Sequence, residues 1–490
     1  MNIKCQVFTP TDIVINMLDS IGYDSNIFGK KVIENACGDG NILREIVRRY
    51  IKDGLKNKYS LGEIKEGLEN DIYGAEIDKV HYWNCISNLN SLVSNYGISN
   101  VSWNILNLDI LKHSFNFQFD YVIGNPPYIS YNDLDSETRL FLKNNFTSCE
   151  KGKFDYYYAF IEKSINMLDV NGKLIYLVPN NFFKNVSAKN LRELVVPFLT
   201  DVYDYTTHKL FKNVLTSSSI ICLNKSTDIE KFNYHDVTKK RKYVFNKNHL
   251  FEKWIFSSKA NSKEITNNHS VRFGDYFQSS VSIATLYNKA FVIKDYYVTE
   301  EYAFVNEYKI EKEILKNAYS PNSLRLEKNE LIIFPYFYDE FNNLKRYPPE
   351  DFIERFPYCV EYLKQFKEQL LERDSDVSSQ WYEFGRSQAL QHLNQPKLLL
   401  STLVTKHIKI YELDTSSIPY SGIYIVPKKD TSLHIAKKIL NSEDFHNYIL
   451  NVGINVNGNS IRISSTDINN YMFNPDLHPE LLPTGNVKTC

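Results

Sequence analysis

The sequence has almost no net charge, and this limits how the protein can bind a polyanion. Its 57 Lys and Arg residues are balanced by 58 Asp and Glu residues, so the formal net charge at pH 7 is −1. A nucleic-acid partner would have to be met by local clusters of positive charge, because a global electrostatic attraction is missing. One compact basic run is present, Lys239-Lys240-Arg241-Lys242. Such a run is typical of a solvated turn and equally of a phosphate contact.

The sequence also lacks cysteines at the spacing of a metal site, and it lacks long apolar segments. The seven cysteines are scattered, which argues against a disulfide framework and a zinc site and favours a reducing compartment. No run reaches the length of about eighteen apolar residues that a membrane helix needs, and Met1-Asn2-Ile3-Lys4 lacks the apolar core of a signal peptide. We therefore expect a soluble intracellular protein with no membrane partner.

Apolar residues are instead distributed in short runs, which alternate with helical patterns in the first half of the chain. The 490 residues, 43% of them hydrophobic, are enough for two or three domains. The alternation predicts an α/β fold, a doubly wound Rossmann-like sheet that binds ligands at the carboxyl ends of its strands. The predicted strands are 32–33, 72–75, 121–123, 173–178, 202–205 and 218–223, and the predicted helices are 42–56, 79–96 and 156–168.

A change of pattern near residue 228 marks the predicted domain boundary. Residues 229–490 lose the alternation and contain many aromatic residues in short mixed segments, with one clear helical stretch at 349–373. We therefore predict a first domain over 1–228 and a C-terminal domain of mixed α+β structure over 229–490.

The first motif is a small-residue loop between a predicted strand and a predicted helix, Glu34-Asn35-Ala36-Cys37-Gly38-Asp39-Gly40. Small residues let the backbone approach a ligand closely, and the following helix offers unpaired N–H groups. A dinucleotide site has a similar loop. Glu34 at the strand end favours a cationic or amino-bearing ligand, because its charge would repel a pyrophosphate.

Carboxylates follow two further apolar segments. Glu76 ends the strand predicted at 72–75 and can accept two hydrogen bonds from a ribose diol, while Ile77 can lie against an adenine face. Asp109, beside Ile110, can accept from the exocyclic amino group of a nucleoside or can cap a turn. The spacing of Glu76 from the glycine loop is that of a nucleoside site, whereas alone it would be an exposed strand-end acid.

The segment Asn125-Pro126-Pro127-Tyr128 follows the predicted strand 121–123. Two prolines donate no N–H and cannot continue a sheet, so the chain leaves the strand stiff and extended. If the ligand is S-adenosylmethionine, its methyl group is already activated and the site has to supply alignment. The Asn125 side-chain carbonyl and the Pro126 backbone carbonyl can both accept from one NH₂ group and point its lone pair at the methyl. The plainer interpretation is a proline-ended loop with a packing tyrosine.

Together these motifs resemble the gamma class of adenine-N6 DNA methyltransferases, typified by the TaqI-type methylases. In that family the Asn-Pro-Pro-Tyr tetrapeptide, the Glu-x-Ala-Cys-x-x-Gly loop and an N-terminal Thr-Pro segment occur in one chain, and here Phe8-Thr9-Pro10 supplies the third motif. The resemblance covers residues 1–225 densely. It implies a site-specific enzyme that methylates the N6 amino group of adenine in duplex DNA, with S-adenosyl-L-methionine as cofactor and base flipping.

The resemblance also implies roles for single residues. The catalytic tetrapeptide is Asn125, Pro126, Pro127 and Tyr128, and Tyr128 and Phe211 stack on the extruded base. The implied cofactor-binding residues are Thr9, Glu34, Ala36, Cys37, Gly38, Glu76, Ile77, Asp109, Ile110, Asn125 and Phe160. No metal is implied. Asn35 stands where a proline is common in the family, and ordinary core packing is the alternative role for Phe160 and Phe211.

The order of the domains also resembles the gamma class, in which the recognition domain lies C-terminal to the catalytic motifs. Segments 283–293 and 380–388 resemble segments that recur there. The DNA-binding candidates are Asn288, Lys289, Trp381, Tyr382, Arg386 and Gln388, whose polar members are of types that pair with base edges or phosphates. The alternative is that Trp381 and Tyr382 are core residues and Arg386 forms a structural ion pair.

Other activities share parts of this pattern. Protein-glutamine methylation also uses a planar NH₂ group, RNA adenine methylation uses the same base, and a silent DNA-binding module could keep the fold. The intact Asn125 and the long second half favour the DNA enzyme. We expect it to act as a monomer on double-stranded DNA in the bacterial cytoplasm, either with a separate cognate restriction endonuclease or as an orphan methylase. No nuclease is expected within the chain, because few residues precede Thr9 and no metal-binding carboxylate and lysine cluster follows.

Overall fold

The structure is a computed structural model that describes residues 9–206, 217–226, 229–250, 253–256, 270–405, 407–428, 431–456 and 460–481. It divides into two compact units. The first comprises Met1–Ser262 with Ile454–Asn459, and the second comprises Lys263–Gly453 with Ser460–Cys490. Within the described part of the chain, no helix is long and apolar enough to cross a membrane.

The first unit alternates strands and helices, as the sequence predicts. Its strands are β1 (Val32–Glu34), β2 (Ile72–Ala75), β3 (Asn104–Leu106), β4 (Phe119–Gly124), β5 (Leu168–Pro179), β6 (Leu199–Asp204), β7 (Ser218–Asn224), β8 (Lys231–Asp236) and β9 (Arg241–Asn246). Its helices are α1 (Thr11–Ile21), α2 (Asn41–Lys56), α3 (Leu61–Asp71), α4 (Lys79–Ser94), α5 (Ser136–Asn145), α6 (Tyr157–Met167) and α7 (Lys189–Val195).

The nine strands, counted over the described residues, form one sheet in the order β3-β2-β1-β4-β5-β7-β6-β8-β9. Strands β1 to β5 are mutually parallel, and β6 and β8 run in the same direction, whereas β7 and β9 are antiparallel to their neighbours. Buried side chains of α1 and α2 form one hydrophobic cluster, and those of α6 and α7 form another. The predicted doubly wound α/β fold is therefore confirmed, and seven strand ends of the sheet share one carboxyl edge.

The sheet continues beyond the boundary predicted at residue 228. Strand β8 pairs with β6 in parallel, and β9 closes a hairpin onto β8. Phe232 and Tyr234 of β8 and Phe245 of β9 are buried in the core of the first unit. The change of pattern near residue 228 therefore precedes an added edge hairpin, and the second unit begins at Lys263.

The later part of the chain has mixed, shorter elements. Its strands are β10 (Val271–Arg272), β11 (Phe277–Val281), β12 (Val292–Ile293), β13 (Tyr297–Val298), β14 (Tyr302–Val305), β15 (Tyr308–Glu311), β16 (Leu315–Tyr319), β17 (Glu330–Ile333), β18 (Tyr336–Tyr338), β19 (Leu344–Arg346), β20 (Lys397–Leu400), β21 (Leu403–Val404), β22 (Ile410–Leu413), β23 (Ile418–Pro419), β24 (Ile423–Pro427), β25 (Ile454–Val456), β26 (Ser460–Arg462) and β27 (Met472–Phe473). Its helices are α8 (Phe273–Tyr276), α9 (Asn288–Phe291), α10 (Pro321–Arg325), α11 (Pro349–Arg355), α12 (Pro357–Lys364), α13 (Lys367–Leu371), α14 (Leu433–Leu440), α15 (Glu443–Val452) and α16 (Ser465–Asn469).

The second unit is an α+β module with its own core, as predicted. Two four-stranded sheets, β11-β24-β20-β22 and β12-β17-β16-β23, run through it within the described residues. The helical stretch predicted at 349–373 is broken into α11, α12 and α13. The first break lies before Pro357, whose missing N–H and ring cannot continue the preceding helix, and Phe356 adopts a non-helical ψ of 54°.

Candidate active site

A cavity of about 400 Å³ opens at the carboxyl ends of β1, β2 and β4 in the first unit. This volume is in the range of small-molecule sites, about 300–1,000 Å³. Carboxylates, an amide, a glycine loop and apolar side chains line it together. The lining residues are Thr9, Glu34, Asn35, Ala36, Cys37, Gly38, Asn41, Ile42, Ala75, Glu76, Ile77, Asp78, Leu108, Asp109, Ile110, Asn125, Pro126, Pro127, Tyr128, Ile129, Tyr156 and Phe160.

The loop from β1 to α2 requires glycine at two positions. Gly38 and Gly40 have φ angles of 50° and 82°, in the left-handed region that other residues enter at a cost. A Cβ on Gly40 would lie 2.7 Å from the Cys85 Sγ, so glycine also permits the close approach of α4. At Gly38 a Cβ would meet no heavy atom within 4 Å. The backbone there faces the open cavity, as a ligand-binding loop needs.

Glu34 ends β1 and keeps only 3% of its surface exposed. Its Oε2 accepts a hydrogen bond from the Leu43 backbone N–H in α2 at 3.0 Å. Burial raises the pKa of the Glu34 carboxyl well above its ordinary value, and the neighbouring Cys85 and Glu76 raise it further. A cation bound nearby would stabilise the charged carboxylate, so the position favours a positively charged or amino-bearing ligand.

Glu76 connects the ends of β1 and β2. Its Oε2 accepts from the Gly38 N–H at 2.9 Å, and its Oε1 accepts from the Asp78 N–H at 2.8 Å. Asn107 holds the same turn by donating to the carbonyls of Glu76 and Ile77 at 2.9 and 3.1 Å. Each carboxylate oxygen can accept a further hydrogen bond, so the orientation is fixed while acceptor capacity for a diol remains.

Asp109 caps a turn and also lines the cavity. Its Oδ1 accepts from the Leu111 N–H at 3.1 Å and so caps a turn, and its Oδ2 lies 3.8 Å from the Lys112 Nζ. The residue also lines the cavity. On the α6 side, Phe160 is 5% exposed and its ring lies 5.3 Å from that of Tyr156, a lining residue that the motifs did not indicate.

Asn125 follows β4 directly, and two of its hydrogen bonds lie among the described residues. Its Nδ2 donates to the Thr9 Oγ1 at 3.1 Å, and its Oδ1 accepts from the Tyr128 hydroxyl at 2.5 Å. The same hydroxyl lies 2.9 Å from the Leu177 carbonyl at the end of β5. Burial raises the pKa of the Tyr128 hydroxyl well above its ordinary value, so this group stays protonated and serves as a donor. The orientation of the Asn125 amide is therefore set by Thr9 and Tyr128.

Behind the loop, three buried polar side chains form a closed ring of hydrogen bonds. Asn35 Nδ2 donates to the Ser164 Oγ at 2.9 Å, and the Tyr176 hydroxyl donates to the Asn35 Oδ1. Ser164 Oγ lies 2.6 Å from the Tyr176 hydroxyl, whose one proton is already used, so Ser164 is the donor in that bond. The ring joins β1, α6 and β5 directly below the cavity. Family resemblance had marked Asn35 only as a departure from proline.

The structure brings the predicted cofactor and catalytic residues to one place. Every residue of the implied cofactor-binding and catalytic sets lines the cavity, and Asn125 belongs to both sets. Phe211, the second predicted stacking residue, lies outside the described residues. Tyr156, Asn107 and Ser164 were missed because a single tyrosine, asparagine or serine carries no spacing signal.

The DNA-binding candidates of the second unit divide into exposed and packed residues. Asn288, Lys289 and Gln388 are exposed. Tyr382 is 2% exposed and stacks on Phe352 with 4.2 Å between ring centroids, so it is a core residue and its predicted DNA contact is replaced by packing.

Trp381 and Arg386 also have partners within the second unit. The Lys367 ammonium lies over the Trp381 ring, 5.4 Å from its centroid. Arg386 forms ion pairs with Asp374 at 2.8 Å and Asp376 at 3.2 Å. These contacts correspond to the structural alternative that the sequence left open for this segment.

Comparison with known proteins identifies relatives for the cavity-bearing unit. The Eco57I restriction-modification methylase model matches residues 44–211. The chain is 27% identical to the type II restriction enzyme and methyltransferase RM.Eco57I of Escherichia coli, over 67% of this chain and 37% of that protein. It is 28% identical to the type II methyltransferase M.BstVI of Geobacillus stearothermophilus, over 46% of this chain and 42% of that protein. The chain thus spans about two-fifths of these relatives.

A solved structure supports the fold over most of the chain. The type IIL restriction-modification enzyme MmeI, in complex with DNA, superimposes with a TM-score of 0.60 and 14% identity, over 94% of this chain and 65% of that one. At this identity the likeness concerns the fold alone. The matched segment, residues 44–211, carries Glu76 and Asn125 to Tyr128, and over this segment the chain is similar to the Eco57I restriction-modification methylases.

Proposed function

We propose that the protein is a site-specific DNA methyltransferase that transfers a methyl group from S-adenosyl-L-methionine to the N6 amino group of adenine in duplex DNA. One observation carries the proposal. Asn125 to Tyr128 and the carboxylates of Glu34 and Glu76 line the same cavity, so a nucleoside-type cofactor and an amino-group acceptor would meet there.

The residues of the cavity fit S-adenosylmethionine. Glu34 suits the ammonium of its methionine part, because a buried carboxylate with a raised pKa is stabilised by a neighbouring cation. Glu76 suits the ribose diol, since its oxygens are oriented by two backbone N–H groups. Ile77 and Phe160 offer apolar faces for the adenine ring, and Gly38 leaves the space that the ligand needs.

The bound cofactor supplies an activated methyl group, and the protein supplies alignment. Asn125 accepts a hydrogen bond from the target amino group through Oδ1, because an amide oxygen can accept from that donor and from Tyr128 together. The Pro126 carbonyl is the second acceptor. Two acceptors on one NH₂ group direct its lone pair away from the ring and stabilise the positive charge that develops on nitrogen.

An adenine in duplex DNA cannot reach Asn125 while it is stacked and paired. We therefore include base flipping in the proposal, at a cost of roughly a few kcal/mol. Stacking on Tyr128, and on Phe211 as the sequence predicts, would offset part of this cost at about 1–3 kcal/mol per stacked base. The second unit is proposed as the target-recognition domain, with exposed Asn288, Lys289 and Gln388 as its first candidates for DNA contacts.

Methyl transfer from radiolabelled cofactor to plasmid DNA tests the proposal. We expect label in N6-methyladenine after nucleoside digestion. Asn125→Ala should reduce transfer at least a hundredfold, the loss typical of a key transition-state hydrogen bond, while cofactor binding by calorimetry changes little. Label in cytosine, in protein or in RNA alone would reject the proposal. Loss of cofactor binding in Asn125→Ala would reject the role of Asn125.

The biological setting is part of the same proposal. The relatives named above act in restriction and modification, so we propose that this protein modifies the site of a separate cognate endonuclease and works in the cytoplasm as a monomer on DNA. Single-molecule sequencing of plasmid methylated by the enzyme would give the recognition site. An endonuclease that cuts the unmethylated site and spares the methylated one is the expected partner.

A further inference from the structure

The basic run 239–242 lies on the hairpin that ends the sheet of the first unit. Strands β8 and β9 pair with Asp236 opposite Arg241, so residues 237–240 form the turn, Lys239 and Lys240 lie in it, and Arg241 and Lys242 begin β9 at the tip of the hairpin. All four cationic side chains are exposed. The function proposed above gives no role to this hairpin.

The register of the sheet places this tip on the catalytic edge. Gly124, which precedes Asn125, aligns across the sheet with Tyr176, then with Ile221, Val202 and Tyr234. Asp236 lies two residues further along β8, and β8 runs in the same direction as β4. The turn therefore projects beyond the strand end from which the Asn125 segment leaves.

The charge of the tip is largely uncompensated. Lys239 pairs with Asp236 at 3.3 Å. Lys240, Arg241 and Lys242 take part in no ion pair among the described residues. Together these three side chains add three positive charges. In a chain of net charge −1, such a group of exposed cations is the kind of local cluster that a polyanion requires.

Folding alone gives little reason for this composition. Lys240 has a φ of 52°, a left-handed conformation that costs a residue with a side chain about 1–2 kcal/mol and that glycine adopts freely. Lysine on an edge strand does have one other use, since it discourages edge-to-edge association. The two roles make different predictions, because only phosphate contact depends on DNA.

We propose that the β8–β9 hairpin binds the phosphate backbone of the DNA flank beside the flipped adenine, a contact independent of sequence. The proposal rests on the proposed function, because it takes duplex DNA as the substrate. From β4 to β9 the sheet has five strand-to-strand steps. At about 4.8 Å each they span about 24 Å, which corresponds to about seven nucleotides at about 3.4 Å per phosphate along one strand.

The test replaces Lys240, Arg241 and Lys242 by glutamine together. Loss of three phosphate contacts should make the slope of log K against log[salt] shallower by about 2.7. At about 0.1 M salt we expect at least tenfold weaker binding of both cognate and non-cognate duplexes, with the rate of methyl transfer at saturating DNA unchanged. The charge-preserving variant Lys240→Arg/Arg241→Lys/Lys242→Arg should bind as the wild type does.

Three exposed lysines at the opposite end of the unit provide the matched control. Lys52 and Lys56 of α2 and the following Lys58 lie away from the carboxyl edge and form no ion pair in the described part of the chain. Their replacement by glutamine changes the net charge equally and should leave the salt slope as in the wild type. Equal slope changes in the two triple variants would overturn the proposal, because net charge alone would explain them.

A second measurement locates the contact. Methylphosphonates, which are uncharged, are placed one by one along each flank of the target adenine in an otherwise unchanged duplex. Substitutions about six to eight nucleotides from the adenine should weaken binding of the wild type and not of the triple glutamine variant. No such position, or an unchanged salt slope with increased aggregation, would assign the lysines to edge protection. If the wild type methylates no DNA, the proposed function fails, and that result is separate from this one.

Discussion

At the scale of single residues, two carboxylates of the cavity differ in their hydrogen bonds to the backbone. Glu76 has both oxygens occupied by backbone N–H groups, which hold it in place. Glu34 accepts only the Leu43 N–H among its described hydrogen bonds and is almost fully buried. Burial without a full set of partners favours the protonated form. Glu34 is thus the residue at which ligand charge and protein stability are coupled.

Replacement of Glu34 by glutamine separates stability from binding. A folded-state pKa above the unfolded value of about 4.5 lowers stability as the pH rises through that value, and the loss levels off above the raised pKa. Glutamine has no such dependence and can still accept from Leu43. We expect Glu34→Gln to gain stability over the wild type on going from pH 5 to pH 8, by about 1 kcal/mol in urea unfolding, and to bind cofactor at least tenfold more weakly.

The ligand-free protein is the required reference for that measurement. With saturating cofactor the difference should reverse, since only the wild type gains the ion pair. A variant that is less stable than the wild type by the same amount at both pH values would contradict the coupling. Glu63→Gln is a matched control, because Glu63 is exposed and remote from the cavity.

At the scale of elements, the ends of β4 and β5 are connected through one hydroxyl. The one proton of the Tyr128 hydroxyl is shared between two acceptors, the Asn125 Oδ1 and the Leu177 carbonyl, so the position of the amide is linked to the backbone of the next strand. The ring and the hydroxyl of Tyr128 therefore have separable roles. The ring is proposed to stack on the base, and the hydroxyl positions Asn125.

Tyr128→Phe keeps the ring and removes the hydroxyl. We expect kcat to fall roughly tenfold, the effect of one hydrogen bond of about 1.4 kcal/mol, with little change in KM for DNA. Tyr128→Leu should in addition raise KM, because stacking is lost. A fall in kcat for Tyr157→Phe as large as for Tyr128→Phe would argue against a specific positioning role, since the neighbouring Tyr157 ring packs on Tyr128 without bonding Asn125.

The elements of the first unit could be predicted because their signals are local. Short apolar runs and helical spacing predicted six of its nine described strands and three of its seven described α-helices, and the strand ends indicated Glu34, Glu76 and Asn125. The hairpin β8–β9 was not predicted, because an edge strand such as β9, mostly exposed and preceded by Lys239 and Lys240, resembles a linker in composition. The roles of Asn35 and Tyr128 depend on partners more than 40 residues away, which no local pattern reveals.

In the second unit the sequence was less informative. Tyr382 carries the aromatic type of a DNA contact, yet whether it packs or is exposed depends on Phe352, which lies on a different element. Arg386 has the same ambiguity, because Asp374 and Asp376 neutralise it only when the chain turns back. The residue type determines which contacts a side chain can make, and the fold determines which of these contacts it does make.

At the scale of the whole molecule, the two units have separate hydrophobic cores. The proposed cofactor lies wholly within the first unit, and Trp381 is the one tryptophan of the second. Cofactor at a hundred times its Kd should stabilise the first unit by about 2.7 kcal/mol. We expect this to shift the unfolding transition reported by the other tryptophans and to leave that of Trp381 in place.

Comparison with Trp381→Phe isolates the two signals. Fluorescence of this variant reports the first unit alone, and its difference from the wild type reports the second. A single calorimetric transition that moves as a whole on addition of cofactor would contradict the prediction and show one cooperative molecule. Glu34→Gln in the same experiment should remove most of the shift.

The ring formed by Asn35, Ser164 and Tyr176 has a consequence for how related sequences can diverge at these positions. Each member donates once within the ring and accepts once, so a lone replacement strands two polar groups in a dry interior. Drift at these three positions is therefore a concerted event. Proline at position 35 would leave the serine and the tyrosine with only their mutual hydrogen bond, so we expect apolar residues to replace them in related chains that carry that proline.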